Sequence, residues 1–323
     1  MRIPNSKALA RLGPRGTFGL ALQSVAEEDG RVLGLAADLA VTAGMERFRL
    51  TYPERFFNVG IAEQNLVGVA AGLADDGWVP FAVTFANFAA LRACEMVRHH
   101  MGYMRQNVKL VGIGAGFAMG QFGTTHYSVE DVAALRGIPN LTIVSPADCS
   151  EVVDAVRYAV AVDGPVYLRL TGVPSMPPVD QRDSDFAFGR GRTLRLGTDV
   201  TIIACGSMVE RSLAAAELLG ARGVSVGVVN MHTLKPIDET ALDDLRRGVP
   251  VVVTVEEHSV IGGLGGAVTE YLSNWDGAPA VLRIGIDDMY PRVGDYDWVL
   301  DQCGLTSSGI AERILTRVQS TSV

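Results

Sequence analysis

Cysteine is scarce in this sequence, and its distribution excludes a disulfide framework or a thiolate metal site. The four cysteines, Cys94, Cys149, Cys205 and Cys303, are scattered, and none forms a Cys-x-x-Cys pair. Disulfide-stapled domains and structural zinc sites need closely spaced cysteines, which are missing here. We therefore expect free, mostly buried thiols in a cytoplasmic protein.

Long hydrophobic runs and an excess of positive charge are also absent. The longest apolar stretch, residues 110–119, is too short and too rich in glycine to span a bilayer. Residues 1–19 lack the continuous apolar core of a signal peptide. The formal net charge is −8, and no basic stripe is visible. We therefore expect neither a membrane nor a nucleic acid as a partner.

Short β-branched runs that alternate with helical patterns are the main feature that the sequence does contain. Such alternation predicts a parallel sheet with helices on both faces. In the first half, strands are predicted at 79–84, 108–113, 141–144 and 166–170, and helices at 88–103 and 148–162.

A proline-rich break separates this first half from the second. Residues 172–191 contain three prolines and no apolar period, which indicates an interdomain linker. The sequence therefore predicts an α/β protein with a parallel-sheet domain at 1–175, a linker at 176–190 and a smaller α/β domain at 191–323. In the second domain, strands are predicted at 200–204, 224–229, 251–255 and 280–284, and helices at 208–221, 238–247, 264–274 and 307–318.

Glu63 is the most informative single residue. It lies in Val-Gly-Ile-Ala-Glu-Gln-Asn, after a strand end at Phe56 and Phe57 and at the start of a helix whose other residues favour burial. A buried carboxylate without a partner costs several kcal/mol, so Glu63 needs one, and a functional partner is a reasonable candidate. An exposed glutamate that the helix dipole favours explains the local pattern equally well.

Motifs in both halves resemble the transketolase family of thiamine-diphosphate enzymes, in the same order along the chain. The run from Arg55 to Gly72, which includes Glu63, resembles the family's pyrimidine-binding domain. The other matching segments are Thr84-Phe85-Ala86-Asn87-Phe88, Gly123-Thr124-Thr125-His126-Tyr127, Arg136-Gly137-Ile138-Pro139-Asn140, Leu234-Lys235-Pro236-Ile237-Asp238 and Glu256-Glu257-His258. The resemblance implies a pyrimidine-binding domain followed by a transketolase-type C-terminal domain.

One part of such an enzyme is missing from the sequence. The family holds the cofactor's diphosphate through Mg²⁺, a cation that prefers oxygen ligands, with a Gly-Asp-Gly segment. This chain has no Gly-Asp-Gly, and Gly294-Asp295 is followed by Tyr296. The resemblance therefore implies the second subunit of a split enzyme. An N-terminal transketolase-like partner would carry Gly-Asp-Gly and supply most of the contacts to Mg²⁺, in an α2β2 assembly.

The resemblance also implies which residues contact thiamine diphosphate. Glu63 matches the catalytic glutamate, whose carboxylate hydrogen-bonds the pyrimidine N1′ of the cofactor and promotes its reactive form. Phe85 and Phe88 match rings that stack around the aminopyrimidine, although aromatic residues at this spacing more often fill a core. Asp38 matches the family's Ala-Asp-Leu run at the cofactor. Leu91 replaces a tyrosine that the family can carry.

A second group of residues is implied to contact the substrate. His126 matches the substrate-side histidine, which can also move protons and so is expected to be catalytic. Arg15 and Thr42 match, in spacing, an arginine and a serine that contact substrate phosphate. Arg169, at the end of a predicted strand, is a weaker phosphate candidate, because its spacing does not match. For any single arginine, an exposed side chain without a role remains the simpler interpretation.

Two departures from the family concern the acceptor. Phe122 stands where the family has an aspartate that contacts an acceptor hydroxyl, and Gly114 stands where sugar transketolases have a histidine. A site built to hydrogen-bond hydroxyl groups loses that discrimination when its polar groups are removed. We therefore expect an altered, less polar acceptor rather than a loss of the chemistry.

Two other motifs favour structural interpretations. Gly262-Gly263-Leu264-Gly265-Gly266 fails the dinucleotide spacing, because Val268 stands at the third glycine position. A tight strand-to-helix turn is the better interpretation. His258, beside Glu256, has no second histidine or cysteine at ligand spacing, so we expect an exposed or interface position rather than a metal site.

Four functional hypotheses remain at this point. The favoured one is the second subunit of a transketolase that transfers a two-carbon ketol unit from a ketose or ketose phosphate to an aldehyde. The β subunit of a 2-oxo-acid dehydrogenase E1 component shares the two-domain layout and the glutamate. An enzyme similar to deoxyxylulose-phosphate synthase would condense pyruvate with an aldehyde. A non-catalytic assembly subunit is the fourth, and the presence of Glu63, Phe85 and His126 argues against it.

Overall fold

The computed structural model describes residues 3–171, 176–179, 186–245 and 248–321. The strands are β1 (Val32–Ala36), β2 (Phe56–Asn58), β3 (Val79–Phe85), β4 (Lys109–Ala115), β5 (Thr142–Val144), β6 (Val166–Thr171), β7 (Arg192–Arg195), β8 (Val200–Ala204), β9 (Val226–Asn230), β10 (Thr233–Lys235), β11 (Val251–Ser259) and β12 (Ala280–Ile286).

The α-helices are α1 (Ser6–Glu28), α2 (Glu46–Thr51), α3 (Glu63–Asp75), α4 (Cys94–Met96), α5 (Asp131–Arg136), α6 (Cys149–Ala161), α7 (Met208–Gly220), α8 (Glu239–Leu245), α9 (Leu264–Leu272), α10 (Tyr296–Gln302) and α11 (Ser307–Thr321). Two π-helical segments, Phe88–Arg92 and Val97–Tyr103, flank α4, and 3₁₀ turns cover Pro53–Arg55 and Gly120–Thr125.

Six strands of the first half of the chain, with β10 from the second half, form a seven-stranded sheet with the order β10-β5-β6-β4-β3-β1-β2. Every neighbouring pair is parallel except β10 and β5. The central strands are fully buried on both faces, as expected for a parallel sheet with helices on each side. The predicted parallel-sheet α/β domain is confirmed.

The second half forms a five-stranded sheet with the order β12-β11-β8-β9-β7. It is parallel apart from β7, which runs antiparallel to β9 at one edge. The predicted second α/β unit is therefore present. Part of the expected linker, residues 180–185, lies outside the described residues, as do 172–175 with Pro174.

The two sheets are joined by an exchange of structure that the sequence did not reveal. β10 lies in the second half of the chain, yet it pairs antiparallel with β5 at the edge of the first sheet. The ammonium group of Lys235 donates to the backbone carbonyls of Arg136 and Ile138, which fixes this strand in place. Phe117 and Tyr127, from the first half, are buried among apolar residues of the second sheet. The hydrophobic core is therefore continuous between the two halves.

Helix α1 is bent where it approaches the first sheet. Gly13 has φ = 70°, a left-handed conformation that glycine adopts without strain, and Pro14 follows it. Further along, a Cβ on Gly19 would lie 1.9 Å from the carbonyl oxygen of Gly44. Because neither Gly19 nor Gly44 has a side chain, the helix backbone lies directly on the loop after β1. Among the described residues, no helix is long and apolar enough to cross a membrane.

Candidate active site

Glu63 lies in the first turn of α3, close to the carboxyl end of β3. Ligands in open α/β sheets bind beyond the carboxyl ends of parallel strands, so this edge is the expected place for a site. Only 2% of the Glu63 side chain is exposed. Its Oε2 accepts a hydrogen bond from Arg92 Nη1 at 2.8 Å, and its Oε1 accepts one from the Thr84 hydroxyl at 3.4 Å. The structure thus contains the buried carboxylate with a partner, not the exposed alternative.

Arg92 is a residue that the sequence analysis missed. Its guanidinium lies 4.1 Å from the centre of the Phe88 ring while it also contacts Glu63. Residues i and i+4 share one face of a helix, and Arg92 follows Phe88 by four residues in a π-helical segment. A buried carboxylate needs a countercharge, and this was the only sequence signal for a cation near Glu63. That signal does not say which residue supplies the cation.

Four rings lie close together at the carboxyl end of β3. Phe85 ends β3 and lies 5.9 Å from Phe88 in an edge-to-face arrangement. The His126 ring is 5.5 Å from Phe85 and 5.7 Å from Phe88. Phe122 is 5.1 Å from His126 and is 61% exposed. The structure therefore brings together Phe85, Phe88 and His126, which lie far apart in the sequence, and adds Phe122.

His126 sits on a loop that we call the His126 loop, residues 116–128. Its ends are closed by paired backbone hydrogen bonds between Gly116 and Ser128. The hydroxyl of Thr125 lies 2.9 Å from His126 Nδ1, which fixes the orientation of the ring. The Asn87 side chain donates to the Thr125 carbonyl at 2.8 Å and holds the loop against the end of β3.

Gly114 supports the inference that the wall of this site is apolar. Its φ of +69° is left-handed, and a Cβ there would lie 2.9 Å from Met119 Cγ and 3.4 Å from Phe85. A larger side chain at this position would strain the backbone and displace Met119. Met119 thus fills the space beside Phe85 that a side chain at position 114 would need.

Asp38 and Thr42 line a second part of this edge, a cleft of about 620 Å³ after β1. Asp38 has φ = 60° and is locked by Asn58, whose amide oxygen accepts from the Asp38 N–H and whose amide nitrogen donates to Asp38 Oδ1, both at 3.0 Å. Asn58 is a further residue that the sequence analysis missed. Its role in the fold is to orient Asp38.

Arg15 approaches the same loop through its backbone. A Cβ on Gly44 would lie 2.4 Å from the Arg15 carbonyl oxygen, and Gly44 follows Thr42 by two residues. The bent helix α1 therefore brings Arg15 beside the loop that carries Thr42. The Arg15 side chain is half-buried.

Arg169 lies in a different environment from the one expected. It is 2% exposed, and its Nε and Nη2 form a two-pronged ion pair with Asp131 at 2.8 and 3.1 Å. Nη2 also donates to the carbonyls of Ser128 and Glu257. The Asp131 carboxylate raises the pKa of Arg169 above its already high ordinary value. A phosphate contact by Arg169 has no support in this geometry, because the guanidinium is committed to the junction between the two halves.

His258 was expected to be exposed or at an interface, and the exposed alternative is wrong. It is 1% exposed and lies between the two halves of the chain, where its Nε2 accepts from the Ala133 N–H at 3.2 Å. Burial lowers its pKa to about 4.

Neighbouring Glu256 accepts from the N–H groups of Leu264 and Gly265 at 2.7 and 2.8 Å, so it holds the glycine-rich turn at the start of α9. Burial raises the pKa of Glu256 to about 7.

The site fits one end of thiamine diphosphate and not the other. Glu63 and Phe88 suit a planar aminopyrimidine, because the planar guanidinium of Arg92 already hydrogen-bonds the first and stacks on the second. Within the described ranges, no group of three or more histidine, cysteine or acidic side chains is arranged to hold a metal ion. The residues present therefore do not fit the Mg²⁺-diphosphate end.

A buried carboxylate and a cluster of aromatic rings lie at the carboxyl edge of a parallel sheet, and a second α/β unit follows, so the fold is that of a two-domain α/β protein. The family models "Transketolase, pyrimidine binding domain" and "Transketolase, C-terminal domain" match residues 12–172 and 189–310. The chain belongs to the transketolase family.

Several known proteins match the chain over nearly its whole length. A putative transketolase C-terminal section of Methanocaldococcus jannaschii is 39% identical over 95% of this chain and 96% of its own. The 6-deoxy-6-sulfo-D-fructose transketolase subunit SqwH of Clostridium sp. is 40% identical over 92% of this chain and 91% of its own. A solved structure described as a split gene transketolase, inactive beta4 tetramer, has a TM-score of 0.85, 41% identity and coverage of 95% and 98%.

Other relatives are about twice as long. The 1-deoxy-D-xylulose-5-phosphate synthase of Caldanaerobacter subterraneus is 35% identical over 93% of this chain but only 48% of its own length. The chain thus corresponds to about half of that enzyme. The similarity agrees with a thiamine-diphosphate family and leaves the reaction open between the two kinds of relative.

Proposed function

We propose that this chain is the pyrimidine-binding subunit of a two-chain, thiamine-diphosphate-dependent transketolase. It would transfer a two-carbon ketol unit from a ketose or ketose phosphate to an aldehyde acceptor. The observation that carries this is the convergence of Glu63, Phe85, Phe88 and His126 at one sheet edge. The relatives that match over nearly their full length support it, because their names describe a transketolase section or subunit.

Four residues act on the cofactor in this proposal. When bound, thiamine diphosphate supplies a nucleophilic carbon and an electron sink. Glu63 hydrogen-bonds the pyrimidine N1′ and holds the proton that is exchanged there. Phe85 and Phe88 pack against the ring and exclude water from it. Asp38, locked by Asn58, contacts the cofactor from the neighbouring strand end.

The substrate meets a different set of side chains. His126 donates to a substrate oxygen and moves a proton there, with its ring oriented by Thr125. Arg15 and Thr42 bind a substrate phosphate, the first through its planar guanidinium and the second through its hydroxyl. Arg169 is left out of this set, because it is buried and its Nε and Nη2 already donate to Asp131.

The partner supplies what this chain lacks. We propose an N-terminal transketolase-like subunit that carries Gly-Asp-Gly, binds Mg²⁺ and the diphosphate, and assembles with this chain as α2β2. The absence of a metal-binding cluster from the described part of this chain supports the division. The dispersed, unpaired thiols are in keeping with a cytoplasmic enzyme.

The acceptor is proposed to be less polar than an ordinary aldose phosphate near its reacting end. Phe122 and Met119 present carbon atoms where polar groups would contact hydroxyls. An acceptor substrate with fewer hydroxyl groups at this point would leave no hydrogen-bonding atom unpaired against the apolar wall of Phe122 and Met119.

A second candidate reaction is the condensation of pyruvate with an aldehyde. The similarity to 1-deoxy-D-xylulose-5-phosphate synthase over 93% of this chain is the specific observation that favours it. The same assembled complex discriminates the two. A transketolase consumes a ketose donor and releases no carbon dioxide. An enzyme that condenses pyruvate with an aldehyde consumes pyruvate and releases carbon dioxide.

The test is a calorimetric titration of thiamine diphosphate and Mg²⁺ into three samples. These are this chain alone, the chain mixed with a partner that carries Gly-Asp-Gly and is encoded beside it, and that partner alone. Binding in the mixture only, with ketol transfer in the same sample, is the expected result. Tight Mg²⁺-dependent binding to the isolated chain would contradict the division of the site. No binding in any sample would contradict the cofactor assignment.

A further inference from the structure

The guanidinium of Arg92 makes two contacts at the same time. Nη1 lies 2.8 Å from Glu63 Oε2, and the carbon between the guanidinium nitrogens lies 4.1 Å from the centre of the Phe88 ring. The proposed function assigns these same two contacts, a hydrogen bond to Glu63 and a stack on Phe88, to the aminopyrimidine. Both groups are planar and meet a carboxylate through a nitrogen at their edge, the guanidinium by donating an N–H and the pyrimidine N1′ through the proton that it shares with Glu63.

The two ends of the ion pair differ in their freedom to move. Glu63 is fixed in the first turn of α3 and is 2% exposed, whereas 47% of the Arg92 side chain is exposed. The Arg92 backbone is held separately, because Gln64 Nε2 donates to its carbonyl oxygen at 3.3 Å. The arginine side chain can therefore swing towards solvent while its backbone and the carboxylate stay in place.

Glu63 cannot be left alone when the arginine moves away. A buried carboxylate whose partner is removed is strongly destabilised, so departure of the guanidinium requires another hydrogen-bonding group to arrive. The hydroxyl of Thr84, at 3.4 Å, is too long a contact to take over this role alone. The exchange is thus coupled to the arrival of a ligand.

We propose that Arg92 is a further residue of the cofactor site, whose guanidinium occupies the aminopyrimidine position until the cofactor replaces it. This inference rests on the proposed function, because it takes the ligand of Glu63 and Phe88 to be an aminopyrimidine. Arg92 keeps the carboxylate paired and the Phe88 face covered in the cofactor-free chain. It also lowers the apparent affinity for the cofactor, because only the fraction of molecules with Arg92 displaced can bind.

The test compares thiamine diphosphate affinity across four forms of the chain, each assembled with its partner in the presence of Mg²⁺. They are the unsubstituted chain, Arg92→Leu, Arg92→Lys and the control Arg98→Leu. Arg98 also pairs with a glutamate, Glu95, through a two-pronged contact on the surface. Arg92→Leu removes the competing cation and is expected to tighten binding by roughly 3- to 10-fold, which corresponds to a competent fraction of about a third to a tenth.

The two remaining variants sharpen this comparison. Arg92→Lys keeps the charge, lacks the flat guanidinium, and is expected to give an intermediate affinity. Arg98→Leu is expected to leave the affinity unchanged. Weaker or equal binding by Arg92→Leu would overturn the exchange, whereas absence of binding to all four forms would overturn the proposed function itself.

A second measurement uses the isolated chain and needs no cofactor. Arg92→Leu is expected to lower the midpoint of urea unfolding, because it leaves Glu63 unpaired, and Glu63→Gln combined with Arg92→Leu is expected to recover most of the loss. Additive effects of the two substitutions would show that the pair is not formed in solution, and would overturn the proposal.

Discussion

The carboxylate of Glu257 accepts a hydrogen bond from the backbone N–H of Phe117 at 2.6 Å, although 140 residues separate them in the sequence. Its second oxygen accepts from the hydroxyls of Ser207 and Tyr296, at 2.5 and 2.7 Å. Phe117 is the second residue of the His126 loop. The second half of the chain therefore fixes the base of the loop that carries the proposed substrate histidine.

Replacement of Glu257 by glutamine is expected to destabilise the chain by about 2–3 kcal/mol, since charged hydrogen bonds of a buried group are lost and one amide N–H faces a donor. Urea unfolding of the isolated chain measures this. In the assembled enzyme, kcat is expected to fall while cofactor affinity stays unchanged, because the loop and not the Glu63 pocket is loosened. Glu95→Gln, on the surface, is the control and should alter neither quantity.

Glu63→Gln is expected to lower kcat by about 10²–10⁴, the usual contribution of a positioned proton-transfer group. The fold should persist, because the glutamine oxygen can still accept from Arg92 while its amide nitrogen donates to the Thr84 hydroxyl. Steady-state kinetics of the assembled complex, with circular dichroism of the variant, make the measurement. Activity within a factor of a few of the unsubstituted enzyme would show that Glu63 takes no part in the proton transfer.

Acid should weaken the fold through His232. This side chain is buried, stacks on Phe186 with ring centres 4.3 Å apart, and has no hydrogen-bond partner at Nε2 among the described residues. Burial lowers its pKa to about 4, below the ordinary 6.5, so the fold holds it neutral. Its contribution to stability is complete above pH 6.5 and is lost as the pH falls towards 4, with about 2 kcal/mol gone by pH 5.

His232→Phe is expected to flatten this acid decline, because the ring still stacks on Phe186 but no longer takes up a proton. Other buried groups titrate in this range, since burial lowers the pKa of His258 to about 4 and raises that of Glu256 to about 7. The quantity to follow is therefore the difference in stability between His232→Phe and the unsubstituted chain, which should change by about 2 kcal/mol between pH 7 and pH 5. Urea midpoints measured between pH 5 and pH 7 test it. An unchanged slope would show that His232 is not the titrating group.

Phe122→Asp is expected to shift acceptor preference towards hydroxylated aldoses. It restores a hydrogen-bonding group beside His126, which is worth about 1 kcal/mol or roughly 5- to 10-fold in relative kcat/KM. The measurement is the ratio of kcat/KM for an aldose phosphate to that for a simple aldehyde. Leu218→Asp, an exposed substitution on α7, should leave the ratio unchanged. An unchanged ratio for Phe122→Asp would remove Phe122 from the acceptor wall.

Much of the architecture was predictable, because long periodic patterns report burial directly. Strand β8 has the predicted bounds, and helix α3 begins at Glu63 as the pattern indicated. Phe85 and Phe88 lie together with His126 because motifs at the carboxyl ends of parallel strands meet at one edge. The sequence could predict each of these from local pattern or motif order.

The parts that could not be predicted depend on contacts between distant segments. Arg92 pairs with Glu63 across 29 residues, and no local period marks it. The burial of Arg169 and His258 follows from the way the second half packs on the first, which hydropathy does not encode. β10 has three residues, too few for a pattern, and it pairs with β5 from the other half of the chain.

The position of β10 has a consequence for the inheritance of this chain. A cut between the two sheets would leave the first without its edge strand and the second with an unpaired strand. The same cut would separate Glu257 from the loop that it holds. We therefore expect gene fission and fusion to keep the two halves of this chain in one polypeptide. Such events would change only whether the partner subunit is joined to it.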